Sequence, residues 1–511
     1  MLLHQLFEAS ARRVPDKAAI VFDGVRHTYA QLDARADHLA AVLQQRGVQR
    51  GDRVAGFLDN GVEMVLCLYA ALKCGAVFMP INPLTKRDKL AYMLNDSRAS
   101  VLVSHTVLQA ECVHALAINS SVHTVVMAGG TAASTPPDPR HVAFPAEGGA
   151  PLLRPELPAS IDQDLAGIIY TSGSTGDPKG VMLTHLNMVS AARSISQYLG
   201  LLADDVIACV LPLAFDYGLY QVLMAFQTGA TVVLERSFAF PVKALEVLAR
   251  ERVTVFPGVP TIFSLLMQLK TLADHPLPDL RLLTNTAAAL SETHIRQLRG
   301  LFPQAQLFSM YGLTECKRVT YLPPDQLDIR PTSVGRGMPN EEVWLVDETG
   351  QRLPNGSVGE LVIRGSNVMR GYWEKPQETA KRLRPGPIPG EVILHSGDIF
   401  RTDSEGYLYF VSRTDDVIKS RGEKVSPREV EDVLYGLEGV FEAAVIGVPD
   451  ALLGEAVKAF VALRPGFTYS ERDVIRYCLS KLESFMAPKH VEFVGSLPKT
   501  DTGKIKKTGL S

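Results

Sequence analysis

The chain has 511 residues, too many for one ordinary hydrophobic core, so two or more domains are expected. Its 46% apolar and 21% charged composition excludes a disordered polymer, and a formal charge of −3 without long same-sign runs excludes a nucleic-acid-binding or anionic-membrane footprint. Six scattered cysteines, none in a CxxC pair, read as reduced thiols of a cytoplasmic protein and argue against structural zinc.

Leu2, Leu3, Leu6 and Phe7 fall at helical spacing without a basic region before a long apolar run, which predicts a first helix of the mature protein and no signal peptide. Residues 29–45 contain neither Gly nor Pro and read as helix, and 53–58 as strand. Residues 62–81 are the most hydrophobic stretch. Glu63 and Lys73 lie inside it, Gly75 breaks it and Pro80 ends it, so a helix (62–72), a turn and a strand (76–79) are expected, not a membrane span. A further strand is expected over 100–103, and repeated βα alternation predicts an α/β fold with parallel sheets covered by helices. The Pro-, Gly- and Ala-rich run 129–158 is expected to be a surface loop.

Residues 167–170 form an apolar strand that enters Thr171-Ser172-Gly173-Ser174-Thr175-Gly176-Asp177-Pro178-Lys179-Gly180, and a second strand resumes at Val181 before a helix start at Thr184. Glycines let backbone N–H groups turn toward an anion, hydroxyls add donors and lysine adds a charge, so the loop is fitted to hold phosphates. It is not a Walker A loop, because Pro178 precedes Lys179 and a strand follows; nor does it contain GxGxxG.

Toward the end the pattern changes at Arg413-Thr414-Asp415-Asp416, after a strand over 408–411. A compact series follows: helix 427–437, strands 443–448 and 458–463, helix 471–481. The predicted organisation is a large N-terminal domain (1–412), a hinge (413–416) and a small α+β domain (417–511). The final segment is basic, with Lys499, Lys504, Lys506 and Lys507.

The phosphate loop resembles the signature of the adenylate-forming superfamily, which includes acyl-CoA synthetases, adenylation domains of nonribosomal peptide synthesis and firefly luciferase. Further matches follow in the same order: Tyr311-Gly312-Leu313-Thr314-Glu315, Gly359-Glu360-Leu361, Ser396-Gly397-Asp398, Arg413, the segment from Lys419 to Lys424, and Pro498-Lys499-Thr500 through Lys504. They span nearly the whole chain.

The resemblance implies an enzyme that uses ATP and Mg²⁺ to convert a carboxylic acid to acyl-AMP with pyrophosphate release, then passes the acyl group to the thiol of CoA or of a phosphopantetheinyl carrier protein. By it, the loop from Thr171 through Ser172, Gly173, Ser174, Thr175 and Gly176 to Lys179 holds the phosphates. Glu315 would bind Mg²⁺, Thr314 would donate to the α-phosphate, Tyr311 would lie against adenine, and Asp398 with Arg413 would hold the ribose. Lys504 would reach in from the small domain to bridge carboxylate and α-phosphate. Asp415 would be the hinge, and Lys419, Gly422 and Lys424 would line the thiolation face after rotation. No carrier domain follows Lys504, so a carrier would act in trans.

The segment that the resemblance places at adenine departs from the usual Gly-rich form and reads Asn285-Thr286-Ala287-Ala288-Ala289-Leu290, and by the same resemblance Ala288 would belong to the ATP site. The expected acyl pocket comprises Phe215, Asp216, Tyr217, Met310 and Lys317. Phe215-Asp216 resembles the pair with which amino-acid-activating domains hold an α-ammonium. Lys317 and Arg318 offer other readings: a salt bridge to Asp216, a site for an acidic substrate tail, or a solvent-facing pair. Amino acids and plain fatty or aryl acids therefore both stand as substrates. A luciferase-type oxygenase and an inert binding relative are the remaining alternatives.

Overall fold

In the computed structural model the described residues are 1–130, 140–145, 155–156, 158–171, 178–286, 290–413, 418–420, 423–450, 454–482, 484–499, 505–507 and 509–511. Among them the chain folds as a mixed α/β protein with a large N-terminal domain and a smaller C-terminal one.

Two large sheets dominate the N-terminal part. In the eight-stranded sheet, Arg53–Phe57 pairs in parallel with Val77–Ile81 and Val101–His105. These strands are almost wholly buried, which is why they read as continuous apolar runs without alternation. In the nine-stranded sheet, Val206–Cys209, Val255–Gly258, Leu282–Asn285 and Gln306–Tyr311 run parallel. A third, five-stranded sheet is built on the antiparallel strands Val358–Gly365 and Val392–Thr402.

Helices fill the space between the two large sheets. The helix Tyr29–Gln45 starts where Thr28 and Gln31 cap each other's backbone N–H groups at 3.2 and 2.8 Å. Phe7, Tyr29, Tyr69 and Phe226 pack as one aromatic cluster that ties the first helix, Leu3–Arg13, to three others. The helix Val62–Lys73 is buried on nearly every face. Its terminal Lys73 is satisfied by Asp33 and Asp37 at 2.7 and 2.5 Å, so the most apolar stretch of the chain is a core helix. No helix among the described residues is long and apolar enough to cross a membrane.

Among the described residues of the expected loop 129–158, His141–Ala143 is a short strand that adds in parallel to the edge strand Thr124–Ala128. Its composition hid it because a three-residue strand has no room for a period.

The C-terminal sheet is formed by Ile418–Ser420, Glu423–Val425, Val440–Asp450, Gly454–Leu463 and His490–Phe493, with helices Pro427–Tyr435 and Glu471–Leu479. It has its own core, including Val430, Leu434, Val445, Val461 and Val474. An independent core is what lets such a unit move as a body.

Candidate active site

The strands Leu165–Thr171 and Lys179–Thr184 pair antiparallel, with Thr171 opposite Lys179, so the phosphate loop is the tip of a hairpin. Thr184 then caps the helix His185–Leu199 by accepting from the Asn187 N–H. Residues Ser172 to Gly176 lie outside the described residues; Thr171 and Lys179 mark the two ends of the loop. Lys179 pairs with Glu378 at 2.5 Å. The bonds that Glu378 accepts from Lys179 and Lys381 lower its carboxyl to about 2.

Sequence reasoning missed Tyr372, which links the loop to the next motif. The strand Gly371–Tyr372 pairs with Lys179–Thr184. Lys179 sits 5.7 Å from the centre of the Tyr372 ring, and the Tyr372 hydroxyl donates to Glu315 at 2.7 Å. The available signal was local: Gly371-Tyr372-Trp373 sets two aromatics beside a glycine just before the helix-starting Pro376.

Tyr311-Gly312-Leu313-Thr314-Glu315 leaves the end of the strand Gln306–Tyr311 and doubles back. The Lys317 N–H bonds the Leu313 carbonyl at 2.6 Å, and Lys317 adopts a left-handed φ of 73°. A Cβ on Gly312 would stand 1.9 Å from the Lys317 carbonyl oxygen, so only glycine fits. The tight loop leaves Thr314 and Glu315 only partly buried.

Asp398 is 3% exposed and accepts from the Tyr311 hydroxyl at 2.6 Å and from Arg413 Nε at 3.2 Å. Burial raises its carboxyl above the ordinary range, opposed by Arg413 and Tyr311. The turn that presents it is held by Glu360, which accepts from the Gly397 N–H at 2.9 Å and pairs with His395 at 3.0 Å. Gly397 has φ 71°, and a Cβ there would collide with the Arg382 guanidinium. An ionised carboxylate has more lone pairs than Tyr311 and Arg413 occupy, which leaves Asp398 capacity to accept two ribose hydroxyls.

Near these groups, Phe215 and Asp216 open the helix Asp216–Thr228, whose N-terminus favours a carboxylate. The Tyr217 hydroxyl bonds Thr284 at 2.7 and 2.8 Å, tying the helix start to the strand Leu282–Asn285. Burial pushes the Tyr217 phenol up to about 12. Met310 is buried, with the Tyr198 hydroxyl on its sulfur at 2.8 Å. Lys317 and Arg318 do not face solvent: they are 1% and 2% exposed. Lys317 Nζ donates to the Thr314 carbonyl at 2.8 Å, and burial lowers it to about 8 against the pull of Asp216. No ion pair joins either cation to Asp216 among the described residues. Ala288 lies outside those residues, and buried Asn285 and Thr286 mark the edge of its segment.

Lys504, Asp415 and Gly422 also lie outside the described residues. The flanks of Lys504 are nonetheless defined. Lys499 and Ile505 bridge antiparallel, and the Lys506 N–H bonds the Pro498 carbonyl at 2.7 Å. Lys499 pairs with buried Glu442 at 2.5 Å and Lys507 with buried Glu431 at 2.7 Å, so two of the four tail lysines anchor the segments on either side of Lys504. Lys419 and Lys424 face each other in the register of the hairpin Ile418–Ser420/Glu423–Val425; their side chains are outside the described part.

A Gly- and hydroxyl-rich hairpin tip, a half-buried glutamate after a tight loop at the end of a parallel strand, and a buried aspartate paired with arginine together suit a ligase that activates carboxylic acids with ATP. Residues 7–373 match the family described as AMP-binding enzyme, and residues 429–504 match the AMP-binding enzyme C-terminal domain. The chain belongs to this adenylate-forming family, whose members adenylate an acid and then form a thioester.

Among curated relatives, feruloyl-CoA synthase of Amycolatopsis sp is 36% identical, with 97% of this chain and 96% of that protein covered. Long-chain-fatty-acid–CoA ligase of Bacillus subtilis (strain 168) is 31% identical, with 99% and 94% covered. Among solved structures, ATP-bound MatB from Rhodopseudomonas palustris is 30% identical with a TM-score of 0.87, covering 99% of this chain and 98% of that one.

Proposed function

We propose that this chain is an acyl-CoA synthetase, with CoA as the acceptor and the large domain, hinge and small domain divided at residues 413–416. The observation that carries the assignment of roles is the Lys179–Tyr372–Glu315 chain beside the Tyr311–Asp398–Arg413 cluster: one end suits a triphosphate and the other a ribose. The acceptor reading is supported by end-to-end coverage of two relatives named as CoA enzymes.

The donor set at Glu315 fits Mg²⁺, which takes one or two carboxylates and keeps water and phosphate oxygens for the rest. Bound there, the cation would neutralise phosphate charge. Tyr372 fixes the Glu315 carboxylate in place by donating to one oxygen. Thr314 would donate to the α-phosphate, Tyr311 and Ala288 would border adenine, and Asp398 with Arg413 would hold the ribose hydroxyls. The carboxylate oxygen of the acid attacks the α-phosphorus and pyrophosphate leaves. Because both partners are anions, Lys504 would supply positive charge where they meet, lowering the barrier by several kcal/mol, on the order of 10²–10³ in rate. Rotation about Asp415 would then withdraw Lys504 and bring Lys419, Gly422 and Lys424 to the acyl-adenylate. The CoA thiolate attacks the acyl carbon and AMP leaves.

An acid-dependent pyrophosphate-release assay with ATP and Mg²⁺, followed by addition of CoA, tests the reading. Thioester formation with CoA supports it. Release that continues to thioester only with a phosphopantetheinyl carrier protein would replace CoA as acceptor.

A further inference from the structure

Arg318 is a cation buried against Tyr217 of the expected acyl pocket, and no carboxylate among the described residues pairs with it. Its guanidinium lies over the Tyr217 ring, 4.3 Å from the centroid, and its Nε has no hydrogen-bond partner. Among the described residues no carboxylate forms an ion pair with it. Asp216 is near enough to act on Lys317 but contacts neither cation, and burial drives the Glu341 carboxyl toward its neutral form. Among the described residues the phenols of Tyr198, Tyr217 and Tyr220 also feel Arg318, and burial keeps them acidic only well above neutrality. A buried guanidinium left in this state is destabilising unless something supplies negative charge.

The surroundings argue against a substrate ammonium. Arg318 and Lys317 balance Asp216 and Glu315, and Glu315 is the carboxylate assigned to Mg²⁺, so with that cation bound an added ammonium would meet an already positive surrounding. An added carboxylate would enter a favourable one, and the planar fork of arginine suits it. Its reach is limited, because Arg318 is only three residues from Glu315 and the intervening loop is folded back. Three residues span at most about 10 Å.

The geometry points to a compact dicarboxylic acid as the substrate, one carboxylate being activated beside Thr314 while the other is held by Arg318. This rests on the adenylation reading and narrows it. Arg318 is then a specificity-determining residue, and the cation–π contact with Tyr217 fixes the direction of its fork.

The test is pyrophosphate release by the full chain with ATP and Mg²⁺, using succinate against butanoate and isophthalate against benzoate. The diacid of at least one pair is expected to be preferred in kcat/KM by about 10- to 100-fold, the range of a charge-assisted hydrogen bond. Arg318→Met should abolish that preference by raising KM for the diacid while leaving KM for ATP unchanged, and Arg318→Lys should restore part of it. A preference for the monoacids, or equal loss on both acids of a pair in Arg318→Met, overturns the proposal while adenylation stands. Should Arg318→Met not fold, Arg318→Lys is read alone, and an unchanged diacid preference overturns the proposal. Absence of release with every acid overturns the adenylation reading as well.

Discussion

The Tyr311 hydroxyl donates to Asp398 at 2.6 Å, joining the loop that carries Glu315 to the turn that faces the proposed ribose site. Two segments that are far apart in sequence are thereby locked at one spacing, and Arg413 bonds the other oxygen of the same carboxylate. Tyr311→Phe removes one neutral-to-charged hydrogen bond and is expected to raise KM for ATP about 10-fold, with little change in Tm. Asp398→Asn should cost more, because Arg413 loses its counter-charge. Nucleotide titration of both variants checks the order.

Lys317 provides a pH signature. Burial lowers its ammonium to about 8, so it loses its charge as pH rises through that value. KM for an anionic acid should therefore rise between pH 7 and 9, and Lys317→Gln should flatten the profile. Stability should move in the opposite sense. Between about 8 and the ordinary lysine range near 10.4, the unfolded chain binds more protons than the folded one, so this residue's contribution to stability increases with pH. Initial rates and thermal melts across the same buffers separate the two effects.

Glu341 predicts a stability slope of the other sign. Its Oε1 is shielded without a partner, Asn367 donates weakly to Oε2 at 3.4 Å, and burial pushes the carboxyl well above its ordinary range. Above the ordinary glutamate value, near 4.3, the folded chain binds more protons than the unfolded one, so stability falls as pH rises toward the shifted value. Glu341→Gln is expected to raise Tm at pH 8 and to remove that slope, which melting curves from pH 5 to 8 would show.

Glu442 and Lys504 form a pair of tests for the small domain. Glu442 accepts from the Leu497 N–H at 2.9 Å and from Lys499, so it holds the segment that precedes Lys504. Lys504→Ala should lose adenylation by about 10²–10³ yet still accept preformed acyl-adenylate for thiolation. Glu442→Gln should show the same selectivity in weaker form, because it loosens the segment before Lys504 without removing the lysine. Equal loss of both half-reactions in Lys504→Ala would remove that lysine from the adenylation step.

Much of the architecture is legible in the sequence. The helix Tyr29–Gln45, the strand–loop–strand around residues 171–180 and the C-terminal βα series follow from periodicity, glycine and proline punctuation and capping residues, which act over a few positions. Val62–Lys73 was separable from a membrane span by its own Glu63 and Lys73. The strand His141–Ala143 was not legible, because its only reason to form is the open edge of Thr124–Ala128.

The phosphate loop and the five ordered motifs beyond Glu315 could be named from sequence because their residue types carry the chemistry. What they touch could not. Tyr372 meets Glu315, Glu360 pins Gly397, and Glu442 holds Lys499 only because strands distant in sequence align in space. The same holds for Lys317 and Arg318. As letters they were equally consistent with solvent, a salt bridge or a substrate contact. Burial of both, with no carboxylate against Arg318 among the described residues, was decided by the turn at Gly312 and the packing of Tyr217. Local sequence specifies local hydrogen bonds and turns, whereas desolvation and charge pairing depend on every element packed around a group, and those are set by the tertiary fold.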